Sequence, residues 1–222
     1  MIVGVVVAAL LIVVGRPFVY FHFIQSDPPP KLSISAATVP TTDPGTKRAD
    51  LAGTWKVASG SVVRYRVKET IFGQSGTAVG STNHVTGSMT IAGTSLTAAT
   101  FTVDMTTVTS DKSQRDGQFQ GRIMDTSQFP TATFTMTSPI DLAPVPKDGV
   151  VTTYSAKGKL QLHGTTKDIT FTLKTSRTNN TIQVQGDQTI TFSDYNIDNP
   201  SGGPASVGNS GELEFLLDLQ PA

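Results

Sequence analysis

The sequence predicts an all-β domain of eight antiparallel strands, and three observations lead to that prediction. From residue 53 onward, Thr alternates with Val, Ile, Phe and Met, which is typical of strands with one buried face and one solvent face. The alternating runs are joined by short turns, so strands that follow each other in sequence are expected to pair. No long run with helical periodicity follows the first 24 residues. Eight such strands form a sandwich or an up-and-down barrel, and such a barrel either fills itself with side chains or holds one slender ligand.

Each predicted strand places its apolar residues on one face. In the first strand, Val63, Tyr65 and Val67 alternate with three basic residues. The remaining runs repeat this two-residue period. The predicted strands are residues 61–69, 84–93, 96–110, 131–137, 151–164, 168–175, 181–192 and 211–219.

One connection between these strands differs from the rest. Residues 112–129 carry apolar side chains at helix-like intervals, and Pro130 then fixes an extended entry into the next strand. Gly117 and Gly121 argue against a long regular helix, so the prediction is a short helix or two turns. A connection of this length among short hairpins is often functional, for example as a lid, but its Phe and Ile side chains could equally plug one end of a barrel.

The N-terminus is predicted to be a membrane anchor. Residues 2–14 alone would match a signal peptide, but the apolar stretch continues to Ile24 and would span about 34 Å as a helix. Arg16 interrupts the stretch at a cost of about 2.5–3.5 kcal/mol at mid-membrane and less off-centre, where its side chain can snorkel. The aromatic residues after it are typical of an interfacial belt. We expect an uncleaved transmembrane helix at residues 1–24 rather than a removed signal. No Lys or Arg precedes it, so charge does not predict its orientation.

Residues 25–52 are rich in Pro, Ser and Thr and lack periodicity. Such a composition predicts a tether that is partly polyproline II and partly coil. The folded domain is therefore expected at residues 53–222.

Composition excludes several classes of function. The formal net charge is zero, so nothing predicts a nucleic-acid partner. The chain has no cysteine, which excludes thiol catalysis, disulfides and cysteine zinc sites. The three histidines, His22, His84 and His163, do not have the spacing of a metal site, and we predict no metal and no cofactor.

Four motifs together resemble the YceI-like family of polyisoprenoid-binding proteins. They are "RDGQF", "FPTATF", "KLQLHGTTKDITFTL" and "SDYNID", and the match covers roughly residues 53–219. The positions that carry it are Arg115, Asp116, Phe129, Pro130, Phe134, Leu160, Leu162, Gly164, Thr166, Lys167, Asp194, Tyr195 and Ile197. Many relatives carry histidines beside the first strand, where this chain has Gly60 and Glu69.

The resemblance implies a lipocalin-like barrel that holds the tail of an isoprenoid quinone or polyprenyl phosphate outside the cytoplasm. The anchored layout resembles that of actinobacterial members, which would also orient the anchor. The expected ligand-binding residues are Val63, Tyr65, Val67, Met89, Phe101, Val103, Met105, Phe119, Ile123, Met124, Phe134, Met136, Leu160, Leu162, Phe171 and Phe215. Three inward glycines, Gly87, Gly158 and Gly186, are expected to leave room for the lipid chain.

Polar residues at the mouth are expected to meet the head group. Arg115, Asp116 and Arg122 are the candidates, and the first two are expected to act as an ion pair or cap rather than as catalysts. No nucleophile motif or acid–base pair is present, so the sequence predicts a binding protein and not an enzyme. The alternatives are a surface interaction domain whose barrel is filled by its own side chains and, less favoured, an enzyme that acts on a bound lipid.

Overall fold

The computed structural model describes residues 27–34 and 50–222. Among these residues no helix has the length and apolar character needed to cross a bilayer, and the predicted anchor at residues 2–24 lies outside them. The described part of the chain forms one antiparallel sheet of thirteen strands.

The strands follow one another around the sheet in the order of the sequence, apart from short extensions. They are β1 (Gly53–Val57), β2 (Val62–Ile71), β3 (Gln74–Thr82), β4 (Val85–Ala92), β5 (Ser95–Asp104), β6 (Thr109–Ser110), β7 (Thr131–Met136), β8 (Ile140–Asp141), β9 (Thr152–Leu162), β10 (Thr165–Thr178), β11 (Thr181–Thr191), β12 (Ala205–Val207) and β13 (Ser210–Pro221). The helical elements are the α-helix α1 (Ser113–Gln118), a π-helical turn at Phe119–Ile123 that continues it, and 3₁₀ turns at Met105–Thr107 and Phe192–Tyr195.

The thirteen strands occupy eight positions of a closed barrel. β13 pairs with β2 through its first half and with β1 through its second half, so β1 and β2 are two parts of one long, interrupted strand. β3 and β4 oppose them in the same way, while β6 and β8 extend their neighbours. The pairing of β1 with β13 closes the ring. The predicted eight-stranded antiparallel barrel with one short helical connection is therefore confirmed.

Tight turns explain why neighbours in sequence are neighbours in the barrel. The β2–β3 turn is Phe72-Gly73 and the β9–β10 turn is His163-Gly164, and all four residues have positive φ. Two-residue turns of this kind match the twist of paired strands. The prediction did not include β1 and β3 as strands, because β3 reads "QSGTAVGST" and contains few large apolar residues.

One end of the barrel is closed by packed side chains. Trp55 and Leu219 are almost completely buried there, and the Arg177 guanidinium lies 5.2 Å from the Trp55 ring centroid. The other end carries α1 and its π-helical turn, with Phe119 and Met124 buried beneath them.

Residues 27–34, here called the strap, lie against the outer wall formed by β2 and β13. Arg66 donates to the Pro29 carbonyl at 2.8 Å, Arg64 donates to the Pro30 carbonyl at 3.2 Å, and Lys31 forms an ion pair with Glu212. This part of the predicted tether is therefore held on the barrel.

Candidate functional site

A cavity of about 1600 Å³ occupies the barrel interior at the helical end. Most of its lining is apolar and comes from inward positions of the strands, as the two-residue periodicity predicts. Fourteen of the sixteen residues expected to bind ligand line it: Val63, Tyr65, Val67, Phe101, Val103, Met105, Phe119, Ile123, Met124, Phe134, Leu160, Leu162, Phe171 and Phe215. Small-molecule binding sites typically have volumes of about 300–1,000 Å³. The volume of this cavity exceeds that range and is large enough for a long apolar molecule.

The other two expected residues, Met89 and Met136, lie outside this cavity. Both line a second, smaller cavity of about 110 Å³ toward the closed end. The alternation of apolar and polar residues predicts that both side chains point inward. It does not predict how deep along the barrel axis each side chain lies. Five residues line both cavities and form the boundary between them: Phe101, Phe134, Ala156, Leu173 and Val184.

The helical connection is held over the large cavity by one carboxylate and one aromatic stack. Asp116 accepts hydrogen bonds from the backbone N–H of Ser110 at 2.8 Å and from its hydroxyl at 2.6 Å, which ties α1 to β6. The Phe119 ring stacks on Tyr65 with 5.1 Å between centroids. Asp116 does not line the cavity, and its contacts are those of a structural anchor.

Arg115 lies at the mouth between two carboxylates. Its guanidinium contacts Glu69 at 3.0 Å and forms an ion pair with Asp111. Burial alone would lower the pKa of Arg115, but the two carboxylates more than offset this and raise the pKa above its ordinary value. Glu69 and Asp111 thus offset the charge of the arginine at the mouth.

Arg122 also lines the mouth and is exposed. Its guanidinium donates to the Gln118 side chain at 3.1 Å and to the Pro200 carbonyl at 3.0 Å, which connects the helical turn to the rim loop at residues 199–207. An arginine has five N–H donors, so Arg122 retains donors that can face a ligand.

The Tyr65 hydroxyl is a neutral polar group inside the lining. Burial raises the pKa of Tyr65 to about 12, so the phenol keeps its proton throughout the physiological range. No hydrogen bond between described residues uses this hydroxyl, and it is therefore available to a ligand oxygen.

The inward glycines do not leave space for a ligand chain, which corrects the expectation for Gly87, Gly158 and Gly186. A Cβ added at Gly186 would lie 2.5 Å from the Phe215 ring, and one at Gly158 would lie 2.2 Å from the Phe134 ring. A Cβ at Gly87 would meet the backbone and ring of Phe101. The space is taken by aromatic rings of the neighbouring strands.

Sequence reasoning missed several lining residues. Ala78, Gly80 and Thr82 of β3 face the cavity, and the rim loop contributes residues 200–205. Small inward residues give a weak period-two signal, and an irregular rim loop gives none. Phe72 at the tip of the β2–β3 turn also lines the mouth and is 65% exposed.

Comparison with known proteins identifies the family. A family model described as the YceI-like domain matches residues 55–219. This chain belongs to the YceI-like family. No curated protein matches it in sequence.

Three solved structures of similar proteins share the fold. A polyisoprenoid binding domain from Saccharophagus degradans, implicated in plant cell wall breakdown, is 20% identical with a TM-score of 0.63, covering 77% of this chain and 99% of that one. Burkholderia cenocepacia BcnA is 19% identical with a TM-score of 0.58, covering 73% and 98%. The YceI protein of Campylobacter jejuni is 15% identical with a TM-score of 0.51, covering 87% and 99%. At these identities the likeness establishes a YceI-like fold.

Proposed function

We propose that this protein binds an isoprenoid lipid in its large cavity, outside the cytoplasm, for carriage or sequestration. The observation that carries the proposal is the apolar cavity of about 1600 Å³ with a polar mouth, in a member of the YceI-like family. The similar domain from Saccharophagus degradans is described as polyisoprenoid binding. The candidate lipids are an isoprenoid quinone and a polyprenyl phosphate.

Burial of the tail supplies the affinity in this proposal. Each methylene transferred from water to an apolar site contributes roughly 0.8 kcal/mol, so a few isoprene units give micromolar binding before ordering costs. The size of the cavity favours lipid binding over an interaction domain with a filled barrel, because a filled barrel would leave no such volume.

The mouth supplies the contacts for a head group. Arg122 retains N–H donors, and the Tyr65 hydroxyl can donate to a carbonyl or phosphoryl oxygen. Arg115 and Asp116 are held in structural contacts with Glu69, Asp111 and Ser110. These contacts favour binding over catalysis at the mouth.

Membrane attachment through residues 2–24 is part of the same proposal. The strap contacts the barrel from Pro29 onward, five residues after Ile24. Five extended residues span about 17 Å, whereas the whole 25–52 segment could span about 90 Å. If residues 2–24 cross the bilayer, the strap therefore keeps the barrel close to it, where a lipid can enter.

Mass spectrometry of extracted lipid tests the proposal. The full-length protein is purified in detergent, which removes loosely associated membrane lipid, and the lipid that remains bound is extracted with solvent. An isoprenoid at about one equivalent is the expected result. An extract without isoprenoid, together with no uptake of added menaquinone or polyprenyl phosphate, would contradict the proposal and favour a surface interaction domain.

A further inference from the structure

Four phenylalanines form a layer across the barrel between the two cavities. This aromatic layer consists of Phe101, Phe134, Phe171 and Phe215. Phe134 packs edge-to-face on Phe171 with 5.4 Å between centroids, and Phe171 packs edge-to-face on Phe215 at 5.3 Å. Phe101 lies directly opposite Phe134 on the neighbouring strand.

The backbone fixes the position of these rings. The Phe134 ring lies over Gly158, the Phe215 ring over Gly186 and the Phe101 ring over Gly87, each at a distance that no side chain could share. Edge-to-face contacts favour one ring orientation over others. The layer is consequently a defined wall and not a loose set of side chains.

Phe101 and Phe134 are the residues of this layer that line both cavities. Phe134 also packs on Phe171, and its ring lies over Gly158. The mouth residues Arg115 and Arg122 lie on α1 and its continuation, whereas the small cavity lies on the far side of the layer. A tail that enters at the mouth would thus meet Phe134 with its distal end.

We propose that the aromatic layer, and Phe134 above all, stops the isoprenoid tail and sets the greatest tail length that the barrel accepts. The inference rests on the proposed function and assigns a specificity role within that site. The small cavity beyond the layer measures about 110 Å³. An engineered cavity of roughly 150 Å³ can hold benzene, so this space is close in size to one five-carbon isoprene unit. Removing the Phe134 ring would join the two spaces and admit at least one further unit.

Variants at Phe134 test this role against a matched control. Phe134→Ala opens the boundary, and Phe134→Leu does so partially with a smaller loss of packing. Met136→Ala is the control because Met136 lies two residues further along β7 and lines only the small cavity. It enlarges that cavity without opening the boundary.

The measurement is competition between tails of different length. Each full-length variant is incubated with a series of menaquinones, and separately with a series of polyprenyl phosphates, that differ by one isoprene unit. The retained lipid is extracted and quantified by mass spectrometry. For Phe134→Ala we expect the longest retained tail to grow by one or two units. The affinity for the first tail beyond the wild-type limit should rise by up to about a thousandfold relative to shorter tails, the factor for burying five more carbons before ordering costs. Phe134→Leu should shift the limit less, and Met136→Ala should leave it unchanged.

Each outcome separates this inference from the proposed function. A wild-type protein that retains no lipid of either series would overturn both. A wild-type protein that binds lipid, with the same length limit in both Phe134 variants, would overturn only the role of the layer. An equal shift in Met136→Ala would show that general loosening, and not the layer, determines the limit. If Phe134→Ala does not fold, Phe134→Leu decides the question by the same comparison.

Discussion

Gly186 offers a quantitative test of how aromatic rings occupy the space above inward glycines. Its Cβ, if present, would lie 2.5, 3.0 and 3.2 Å from three atoms of the Phe215 ring, and no backbone atom is among these contacts. Gly186 has no positive φ, so alanine fits the backbone there. The substitution Gly186→Ala therefore perturbs one contact, the packing of a methyl group against one ring.

The magnitude follows from the cost of overpacking. Forcing a methyl into a packed interior costs about 1–3 kcal/mol, so Gly186→Ala should lower the free energy of unfolding by that amount. In a Phe215→Leu background the ring edge is gone. The same substitution should then be neutral or stabilise by about 0.5 kcal/mol, because glycine within a strand costs more chain entropy than alanine. The expected coupling energy is about 2 kcal/mol.

Gly158 supplies the contrasting case. A Cβ there would meet the Phe134 ring at 2.2 Å but also the Thr135 carbonyl oxygen at 2.6 Å. A leucine at position 134 removes only the first contact, because the carbonyl oxygen belongs to the backbone. Gly158→Ala should therefore remain destabilising in a Phe134→Leu background, and the coupling should be smaller than for Gly186.

Urea titrations of the four proteins in each cycle give the coupling energies. For the Gly186 and Phe215 pair, effects that add within about 0.5 kcal/mol would refute the reasoning, since they would show that the ring does not occupy the space. An equally complete rescue at Gly158 would refute the distinction between ring and backbone contacts.

Three further predictions concern the interior, the outer wall and pH. Leu160→Arg places a charge among buried apolar side chains and should cost several kcal/mol or prevent folding. Thr102→Arg, on the outer face, loses only the contact of its half-buried hydroxyl with Thr133 and should cost about 1 kcal/mol; equal damage in thermal denaturation would invalidate the assignment of faces. Arg66→Ala leaves the buried carboxylate of Glu214 without its ion-pair partner and should lower the free energy of unfolding by about 3–5 kcal/mol. Lys159→Ala breaks the exposed pair with Asp168 and should cost about 0.5 kcal/mol or less. Similar losses for the two variants in urea titrations would contradict this contrast. Burial raises the pKa of Tyr65 from 10.0 to about 12, so the unfolded chain loses the phenol proton at a lower pH than the folded protein does. The free energy of unfolding should therefore fall between pH 10 and 12 by up to about 1.4 kcal/mol per pH unit. Tyr65→Phe should reduce this slope, and an unchanged slope would show that other groups cause it.

The alternation of apolar and polar residues predicted antiparallel strands and the direction of most side chains, whereas the choice of a barrel over a sandwich came from the family resemblance. Val63, Tyr65 and Val67 face the cavity because a strand reverses its side chains at every residue. The same rule could not separate Met89 and Met136 from the others. Their depth along the axis depends on strand stagger, which is set by pairings between residues distant in sequence.

The roles of the glycines were not predictable from one strand at a time. Gly186 has an inward phase, but the ring that fills its space belongs to β13, about thirty residues later. Only the register of β11 against β13 brings the two together. A pattern search that pairs each inward glycine with an aromatic residue on the adjacent strand could have found them.

The strap was missed because its contacts depend on charges in two other segments. A Pro-rich segment without periodicity predicts a tether, and nothing within residues 27–34 indicates a docking site. Arg64 and Arg66 look like ordinary solvent-facing residues of β2. Their position beside Glu212 and Glu214 arises only when β2 pairs with β13.

Native mass spectrometry of the full-length protein tests the central claim most directly. The wild-type protein is compared with Val103→Trp, which places an indole in the large cavity. If the lipid lies inside the barrel, the wild-type protein carries one isoprenoid per chain, and Val103→Trp, although folded, retains less of it because the indole takes up part of the volume that the tail fills. A wild-type protein that takes up no isoprenoid, or a Val103→Trp variant whose lipid content and tail-length distribution equal those of the wild type, would contradict the claim that the lipid lies inside the barrel.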